Sequence, residues 1–215
     1  MSARHPLVAV FADESCLGNG QREGAPGGAG GLVEFRTPSG AMVRRDFWLS
    51  ERDTTNNRMA LRSVIAAFAA LSVKGEPLSV SFTTDSRYLV DGLTNWVFGW
   101  HKRAWRKADG KPVENLALWQ EALQTVRASG HEVAWLWVRG HAGHPQNEYA
   151  NHLATRAAAR QDASEGLVAS EYEAWLAAAR ARGSMTAREQ PFPDAARFVA
   201  SPTLPAVAPA DVASR

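Results

Sequence analysis

Two short apolar runs, each ending at an aspartate, constrain the fold of this 215-residue chain more than any other feature. Leu7–Ala12 precedes Asp13, and Leu78–Thr84 precedes Asp85. Apolar runs of this length and composition predict buried strands. Because parallel strands of an α/β sheet carry their sites at the carboxyl ends, we expect the two carboxylates to share one site.

The rest of the chain alternates strand-like and helix-like segments. The further predicted strands are Leu32–Arg36, Met42–Leu49 and Val133–Val138, and the predicted helices are Arg58–Val73, Ser86–Trp105, Asn115–Ala128 and Gln146–Arg160. The glycine-rich stretch 18–31 is predicted to be a loop. This order of elements predicts an α/β fold.

Composition sets further bounds on the class of protein. Hydrophobic residues make up 45% of the chain, which is enough for one sizeable core. No apolar run approaches the roughly 18 residues of a membrane span, and the first residues lack a signal-peptide pattern. The single cysteine, Cys16, cannot form an internal disulfide, which suits a reducing compartment. We therefore expect a cytoplasmic protein that does not bind membranes.

Four segments carry a more specific pattern: VFADESCLGN around Asp13, TTNNRMAL from Thr54, TTDSRYLV around Asp85, and WVRGHAGHPQNEYAN ending at Asn151. In this order and spacing the chain resembles the bacterial type 1 ribonuclease H family over about residues 7–162. The resemblance implies a ribonuclease H-like fold, with a five-stranded mixed sheet flanked by helices. It also implies hydrolysis of the RNA strand of RNA–DNA hybrids.

The resemblance further implies a metal site of four acidic residues, and this chain departs from it at two of them. Asp13 and Asp85 match, whereas Ala60 stands where Glu is expected and Asn151 where Asp is expected. The implied metal ligands are Asp13, Asp85 and Asn151, and the implied catalytic residues are these three and His141. Since Mg²⁺ and Mn²⁺ prefer carboxylate oxygens, the departures predict weak metal binding without substrate and reduced activity.

Two other acids could compensate. Glu14 follows Asp13 directly, but the alternation of side chains along a strand predicts that it lies on the opposite face. Glu148 shares a helical face with Asn151, although the family has an acid there as well. The sequence leaves open whether either one replaces a missing ligand.

Basic residues are concentrated in one part of the chain, although the net charge is only +2. Between Arg87 and Lys111 six basic and two acidic residues surround three tryptophans. Such a pattern suits a sugar-phosphate backbone, although an amphipathic helix with buried tryptophans would look similar. In the resembling family this segment is a basic protrusion that grips the DNA strand. Nucleic-acid contacts are therefore expected for Trp96, Trp100, Lys102, Arg103, Trp105 and Arg106.

Short polar residues of the same motifs match positions that contact the hybrid backbone or minor groove. These residues are Asn19, Thr55, Asn56, Asn57 and Arg87. Hydroxyl and amide groups suit a shallow groove lined by 2′-hydroxyls, although each could instead cap a helix. The other tryptophans, Trp119, Trp135 and Trp137, are assigned to core packing.

The predicted organisation is a ribonuclease H-like domain over 1–162, an extra helical extension over 163–183, and a disordered Pro/Ala-rich tail over 184–215. We expect a monomer whose partner is an RNA–DNA hybrid. Three functions stay open: a hybrid-cleaving ribonuclease of reduced activity, a catalytically silent hybrid-binding protein, and a double-stranded DNA nuclease or integrase-like enzyme. The hybrid-type TTNN segment and the basic protrusion disfavour the third.

Overall fold

The computed structural model describes residues 3–17, 25–140 and 142–207. Its strands are β1 (Leu7–Cys16), β2 (Gly27–Arg36), β3 (Met42–Glu51), β4 (Ser79–Thr84), β5 (Glu132–Trp137) and β6 (Val168–Ala169). Its α-helices are α1 (Asn56–Leu71), α2 (Arg87–Asp91), α3 (Val97–Lys102), α4 (Leu116–Ala128), α5 (Pro145–Arg160) and α6 (Tyr172–Ala181). A π-helical turn, Gly92–Trp96, joins α2 to α3.

The strands form one mixed sheet in the order β5-β4-β1-β2-β3-β6. β4 is parallel to both β1 and β5, whereas the neighbours from β1 to β6 are antiparallel. The predicted α/β fold with a mixed sheet is confirmed, but the described part of the chain has six strands instead of five. The sixth, β6, pairs with Arg45 and Asp46 of β3, and its two residues are too short a run to give a periodic signal in the sequence.

The register of β1 and β4 brings the two predicted aspartates to one edge. Ala12 lies opposite Thr84 in the last pair that joins β1 to β4, so Asp13 and Asp85 each follow directly after this pair. Beyond Ala12, β1 continues to Cys16 and pairs with β2. The strand is therefore longer than its apolar run predicted, and β4 no longer flanks its last residues.

The two faces of β1 pack against different helices. One buried cluster contains Val8, Val10 and Ala12 together with Ala60 and Leu61 of α1. The other contains Ala9 and Phe11 together with Tyr149 and Leu153 of α5. Even-numbered residues of β1 thus face α1, and odd-numbered residues face α5, as the period of a strand requires.

The glycines of β2 form a strand where the sequence predicted a loop. α5 lies directly on this strand: a Cβ added at Gly28 would overlap the carbonyl oxygen of Ala154, and one at Gly30 would crowd Leu153. Glycine is needed here because a helix backbone lies against a strand backbone. The glycine-rich composition, which usually indicates a loop, here reflects the close packing of α5 on β2.

The segment 184–207 is also not the disordered tail that its composition predicted. Met185, Phe198 and Leu204 are buried. The N–H of Ser201 donates to the carbonyl of Val133 at 2.8 Å, and its hydroxyl accepts from the N–H of Trp135 at 3.1 Å. A few apolar anchors and backbone pairing along β5 are enough to hold a segment poor in large side chains. Residues 208–215 lie outside the described part of the chain.

None of the helices in the described residues is long and apolar enough to cross a membrane.

Candidate metal centre

Three carboxylates meet at the ends of β1 and β4. Ligand atoms of Asp13, Glu14 and Asp85 all lie within 4.8 Å of one another. The structure thus brings Asp13 and Asp85 together as expected. It also adds Glu14, and the expectation that Glu14 would point away from this site is wrong.

Side chains do alternate along β1, so Glu14 lies on the face opposite Asp13, yet its carboxylate still reaches the cluster. Ala12 packs with α1, and Cys16 borders Gly27 together with Met59 of α1, so Glu14 lies on the α1 side of the sheet. This is the side from which a glutamate at position 60 would come. Because β4 ends at Thr84, the side chains of Asp13 and Glu14 can both turn into the space beyond that strand, where Asp85 lies.

Asp13 occupies the most enclosed position of the cluster, with 5% of its surface exposed. Its Oδ1 accepts from the backbone N–H of Glu14 at 2.7 Å, and its Oδ2 accepts from Nδ2 of Asn147 at 3.0 Å. Burial, and then the nearby charge of Asp85, raise the pKa of Asp13 to about 8 despite these hydrogen bonds. The negative form is therefore costly unless a cation offsets it.

Glu14 has the same difficulty. Burial and the charges of Asp13 and Asp85 raise its pKa well above the ordinary value, opposed by a hydrogen bond with Ser86. Among the described residues, Oε2 of Glu14 and Oδ1 of Asn147 are buried oxygens without a hydrogen-bond partner. Clustered carboxylates and unpartnered oxygens are the hard ligands that Mg²⁺ and Mn²⁺ prefer, so the residues present fit a divalent cation.

Helix α5 reaches this centre through Asn147, a residue that the sequence reasoning missed. Asn147 is 3% exposed and donates to Asp13, whereas the predicted ligand Asn151 is half-buried one turn later on the same helix. Residues four apart share a helical face, so this spacing is the one signal that could have pointed to Asn147. The role of Asn151 as a metal ligand stays a prediction.

The loop after β5 passes directly against Asp85. A Cβ added at Gly140 would overlap Oδ2 of Asp85, so the loop backbone can approach only as glycine. The predicted catalytic residue His141 comes next in the chain but lies outside the described residues. Its role stays a prediction.

Ala60 lies fully buried in the cluster on the α1 side of the sheet. It supplies no ligand, as the sequence indicated. With Glu14 on the same side, β1 provides a carboxylate that α1 does not. Position 60 therefore adds no carboxylate to the centre.

An exposed stack lies beside the centre. The guanidinium of Arg87 lies 3.9 Å from the centroid of the Trp137 ring, and the indole N–H of Trp137 donates to the backbone carbonyl of Asp85 at 3.0 Å. Trp137 is 39% exposed, so its assignment to the core is wrong. The prediction failed because Trp137 is the last residue of β5, a strand at the border of the sheet, where a side chain can be exposed to solvent.

The first turn of α1 presents the predicted polar residues to solvent. Thr55 is the N-cap, and its hydroxyl accepts from the N–H of Arg58 at 3.3 Å. Asn56 and Asn57 are exposed beside it. Thr55 therefore has a capping role in addition to any contact with nucleic acid. Asn19 lies outside the described residues.

In the basic protrusion, residues 87–111, several cations are exposed to solvent. Lys102, Arg103 and Arg106 are exposed, while Lys107 is paired with Glu114 at 2.5 Å. Trp96 is 38% exposed.

Two other predicted contacts in the protrusion are at least partly buried. Trp100 is only 9% exposed and lies 5.4 Å from the ring of Trp119, so the structure corrects its predicted contact to a packing role. Trp105 is half-buried against the same core cluster. A helix that turns one tryptophan inward and the next outward explains why the pattern alone could not separate them.

Comparison with known proteins shows similarity to ribonucleases H. A family model described as RNase H matches residues 5–159. The Ribonuclease H of Novosphingobium aromaticivorans is 43% identical over 151 residues, which covers 70% of this chain and 96% of the relative. The Ribonuclease H of Methylococcus capsulatus is 41% identical over 156 residues, which covers 73% of this chain and 92% of the relative.

A solved structure extends the similarity past residue 162. LC9-RNase H1, whose crystal structure is described as that of a type 1 RNase H with the type 2 active-site motif, is 60% identical to this chain. The match covers 98% of both chains with a TM-score of 0.88. The similarity therefore includes the extra helix and most of the C-terminal segment.

Proposed function

The chain belongs to the ribonuclease H family, and we propose that it hydrolyses the RNA strand of RNA–DNA hybrids by metal-assisted phosphodiester cleavage. The observation that carries this proposal is the cluster of Asp13, Glu14 and Asp85, with ligand atoms within 4.8 Å of one another. Three of the four expected acidic ligands then have a counterpart. Only the position of Asn151 lacks a charge.

The position of Glu14 explains how a site without the helix glutamate can still be complete. The second acid comes from β1, next to Asp13, and reaches the centre from the side of the sheet where Ala60 lies. LC9-RNase H1 is described as combining a type 1 fold with a type 2 active-site motif. We propose the same combination here, with the adjacent pair Asp13 and Glu14 as its distinguishing feature.

Asp13, Glu14 and Asp85 would hold Mg²⁺ or Mn²⁺, with Asn151 as a neutral ligand. The bound cations would supply an activated water and offset charge on the cleaved phosphate. The N–H of Glu14 and the amide of Asn147 hold the carboxylate of Asp13 in one orientation. Gly140 lets the backbone of the loop after β5 approach the carboxylate of Asp85.

Two groups of exposed residues would bind the substrate. Lys102, Arg103 and Arg106 can neutralise backbone phosphates, and Trp96 offers a ring for stacking. Asn56 and Asn57, at the first turn of α1, are suited to 2′-hydroxyls and base edges in the minor groove. These contacts favour a hybrid over double-stranded DNA.

The test is cleavage of an end-labelled RNA–DNA hybrid with Mg²⁺ and with Mn²⁺, comparing the protein with Asp13→Asn, Glu14→Gln and the surface control Glu76→Gln. We expect the two site variants to lose more than the roughly 10–100-fold caused by loss of an outer partner, with the control unchanged. A Glu14→Gln variant as fast as the parent would refute Glu14 as a ligand. A parent that binds hybrid without cutting it would favour the silent hybrid-binding alternative.

A further inference from the structure

Gln146 is a polar side chain buried in the first turn of α5. It is 1% exposed, yet its amide makes two hydrogen bonds with one residue of the C-terminal segment. Its Nε2 donates to the carbonyl of Gln190 at 2.8 Å, and its Oε1 accepts from the N–H of Gln190 at 3.0 Å. Both halves of the amide are therefore satisfied by the backbone at a single position.

The neighbour of Gln146 is Asn147, which touches the metal centre. Successive residues of an α-helix project about 100° apart, so a turn held by Gln146 has a fixed rotation, and that rotation sets the direction of Asn147. Asn147 donates to Oδ2 of Asp13. The first turn of a helix is where its backbone bonds are fewest, and the N-cap residue here, His144, makes no side-chain cap bond. The contact with Gln190 supplies the restraint that a cap would otherwise give.

The segment that carries Gln190 has anchors of its own. Met185 is buried in the cluster that contains Tyr149. Glu189 pairs with Arg44 of β3 at 3.0 Å. The Cβ of Ala187 lies 3.7 Å from the position that a Cβ would take at Gly143. Gly143 belongs to the loop that leads from Gly140 to α5. Residues 185–192, here termed the C-terminal strap, are thus fixed to the sheet, to α5 and to the loop.

We propose that the C-terminal strap is a positioning element of the metal centre: through Gln190 and Gln146 it holds the first turn of α5 so that Asn147 stays on Asp13. Gln146 is a positioning residue, since it acts on the centre through Asn147 and touches neither metal nor substrate. The proposal rests on the proposed function only in taking the carboxylate cluster as a metal site. It assigns a role in the chemistry to a segment outside the part of the chain that carries the family motifs.

The test compares Gln146→Leu, which keeps the size of the side chain and removes both hydrogen bonds, with Tyr149→Phe as the matched control. Tyr149 lies on the same helix and donates to Asp46 at 2.6 Å, so its loss weakens the docking of α5 away from the first turn. A second variant, Gln190→Pro, removes the N–H on the strap and leaves α5 unaltered. The measurements are thermal unfolding, Mn²⁺ affinity by calorimetry, and kcat and KM on hybrid.

We expect all three variants to unfold at lower temperature than the parent. Only Gln146→Leu and Gln190→Pro should lose Mn²⁺ affinity, by about 10-fold, and lower kcat with KM for hybrid unchanged. If these two variants bind Mn²⁺ as tightly as the parent and lose only thermal stability, the strap is merely structural and the proposal is overturned.

Amide hydrogen exchange gives a readout that needs neither metal nor activity. The N–H of Glu148, which donates to the carbonyl of His144 at 2.9 Å, should exchange faster in Gln146→Leu than in the parent or in Tyr149→Phe. Equal exchange in all three would refute the restraint. A parent that binds Mn²⁺ but cuts no hybrid would refute the proposed function and leave the comparison of affinities valid.

Discussion

The side-chain amide of Asn147 donates to Oδ2 of Asp13 at 3.0 Å, one helical turn before the position where the family places its last acid. The central carboxylate of the site is therefore oriented by a neutral residue of α5 and by the backbone of its own strand. Asp13 has a raised pKa in these surroundings because burial outweighs the hydrogen bonds. Without a cation, the ionised carboxylates of such a site lower the stability of the folded protein.

The cost should appear as a dependence of stability on pH. An acid whose pKa is raised on folding, from 3.8 to about 8 for Asp13, contributes stability that is fully present below pH 4. That contribution is lost as the pH rises to 8, and Glu14 adds an effect of the same sign. In chelator, the free energy of unfolding should fall between pH 5 and pH 8, by several kcal/mol at most.

Denaturant unfolding at several pH values, with and without Mn²⁺, measures this dependence. Asp13→Asn should flatten the profile because its amide does not titrate. Mn²⁺ should stabilise the parent most at the upper end of the range. A parent profile that is flat in chelator would contradict the buried, like-charged cluster.

We expect that the position of the second acid can be exchanged between β1 and α1. Glu14→Ala should abolish cleavage, and the double variant Glu14→Ala with Ala60→Glu should recover part of it, since both positions lie on the α1 side of the sheet. Ala60→Glu alone should give no gain and should destabilise the protein by about 3–5 kcal/mol, because it places an uncompensated charge at a fully buried position. Unfolding and hybrid-cleavage assays check both expectations.

The control for the exchange is Ala60→Gln, which adds the same volume without the charge. If Ala60→Glu destabilises no more than Ala60→Gln, crowding is the cause and charge is not. If Ala60→Glu alone speeds cleavage, the centre can accept a fourth carboxylate, and Glu14 does not replace the helix acid.

Hybrid binding should depend on salt through exposed cations of the protrusion, among them Lys102, Arg103 and Arg106. Changing Lys102, Arg103 and Arg106 to Glu should lower the affinity and reduce the slope of log K against log salt by about one for each phosphate that is no longer neutralised. The control is Lys107→Gln, since Lys107 is already paired with Glu114 and should contribute little to the slope. A triple variant with the slope of the parent would mean that the protrusion does not bind the backbone.

Arg44 should be a large single contributor to stability. It binds Glu34, which is 1% exposed, at 2.7 Å, and also Glu173 of α6 and Glu189 of the C-terminal strap. Arg44→Met leaves Glu34 buried and unpaired, which should cost about 3–5 kcal/mol. The loss should be smaller at pH 5 than at pH 8, because burial raises the pKa of Glu34 and its neutral form is less costly to bury.

The double variant Arg44→Met with Glu34→Gln separates the two effects in the same unfolding experiment. It should regain part of the lost stability, since no unpaired charge remains. If the double variant is no more stable than Arg44→Met, the stabilisation comes from Glu173 and Glu189 at the surface.

The sequence predicted the parts of the fold whose signals are local. Two apolar runs ending at Asp13 and Asp85 placed both strands and the common edge correctly, and α1 lies where the helix Arg58–Val73 was predicted. It could not predict features that depend on what packs above a residue. Gly28 and Gly30 have a composition typical of a loop, but they lie in a strand whose backbone packs directly against α5.

The site was predictable to the same extent. Strand alternation correctly placed Glu14 on the face opposite Asp13, but the gap beyond the end of β4, into which both side chains turn, has no local signature. The hydrogen bond from Asn147 to Asp13 depends on how α5 packs against the sheet, and its four-residue spacing from Asn151 was the one sequence signal for it. Arrangements fixed by two distant segments were therefore the ones missed.

The part of the chain after residue 162 meets the sheet at both of its borders. β6 pairs with β3 at one, and Ser201 lies along β5 at the other. An uncovered border strand offers its free N–H and C=O groups to any passing chain, which is a route to aggregation. We therefore expect the part of the chain after residue 162 to hinder edge-to-edge pairing between copies of this protein, and a version shortened after residue 162 should form oligomers even where Asp13, Glu14 and Asp85 are intact.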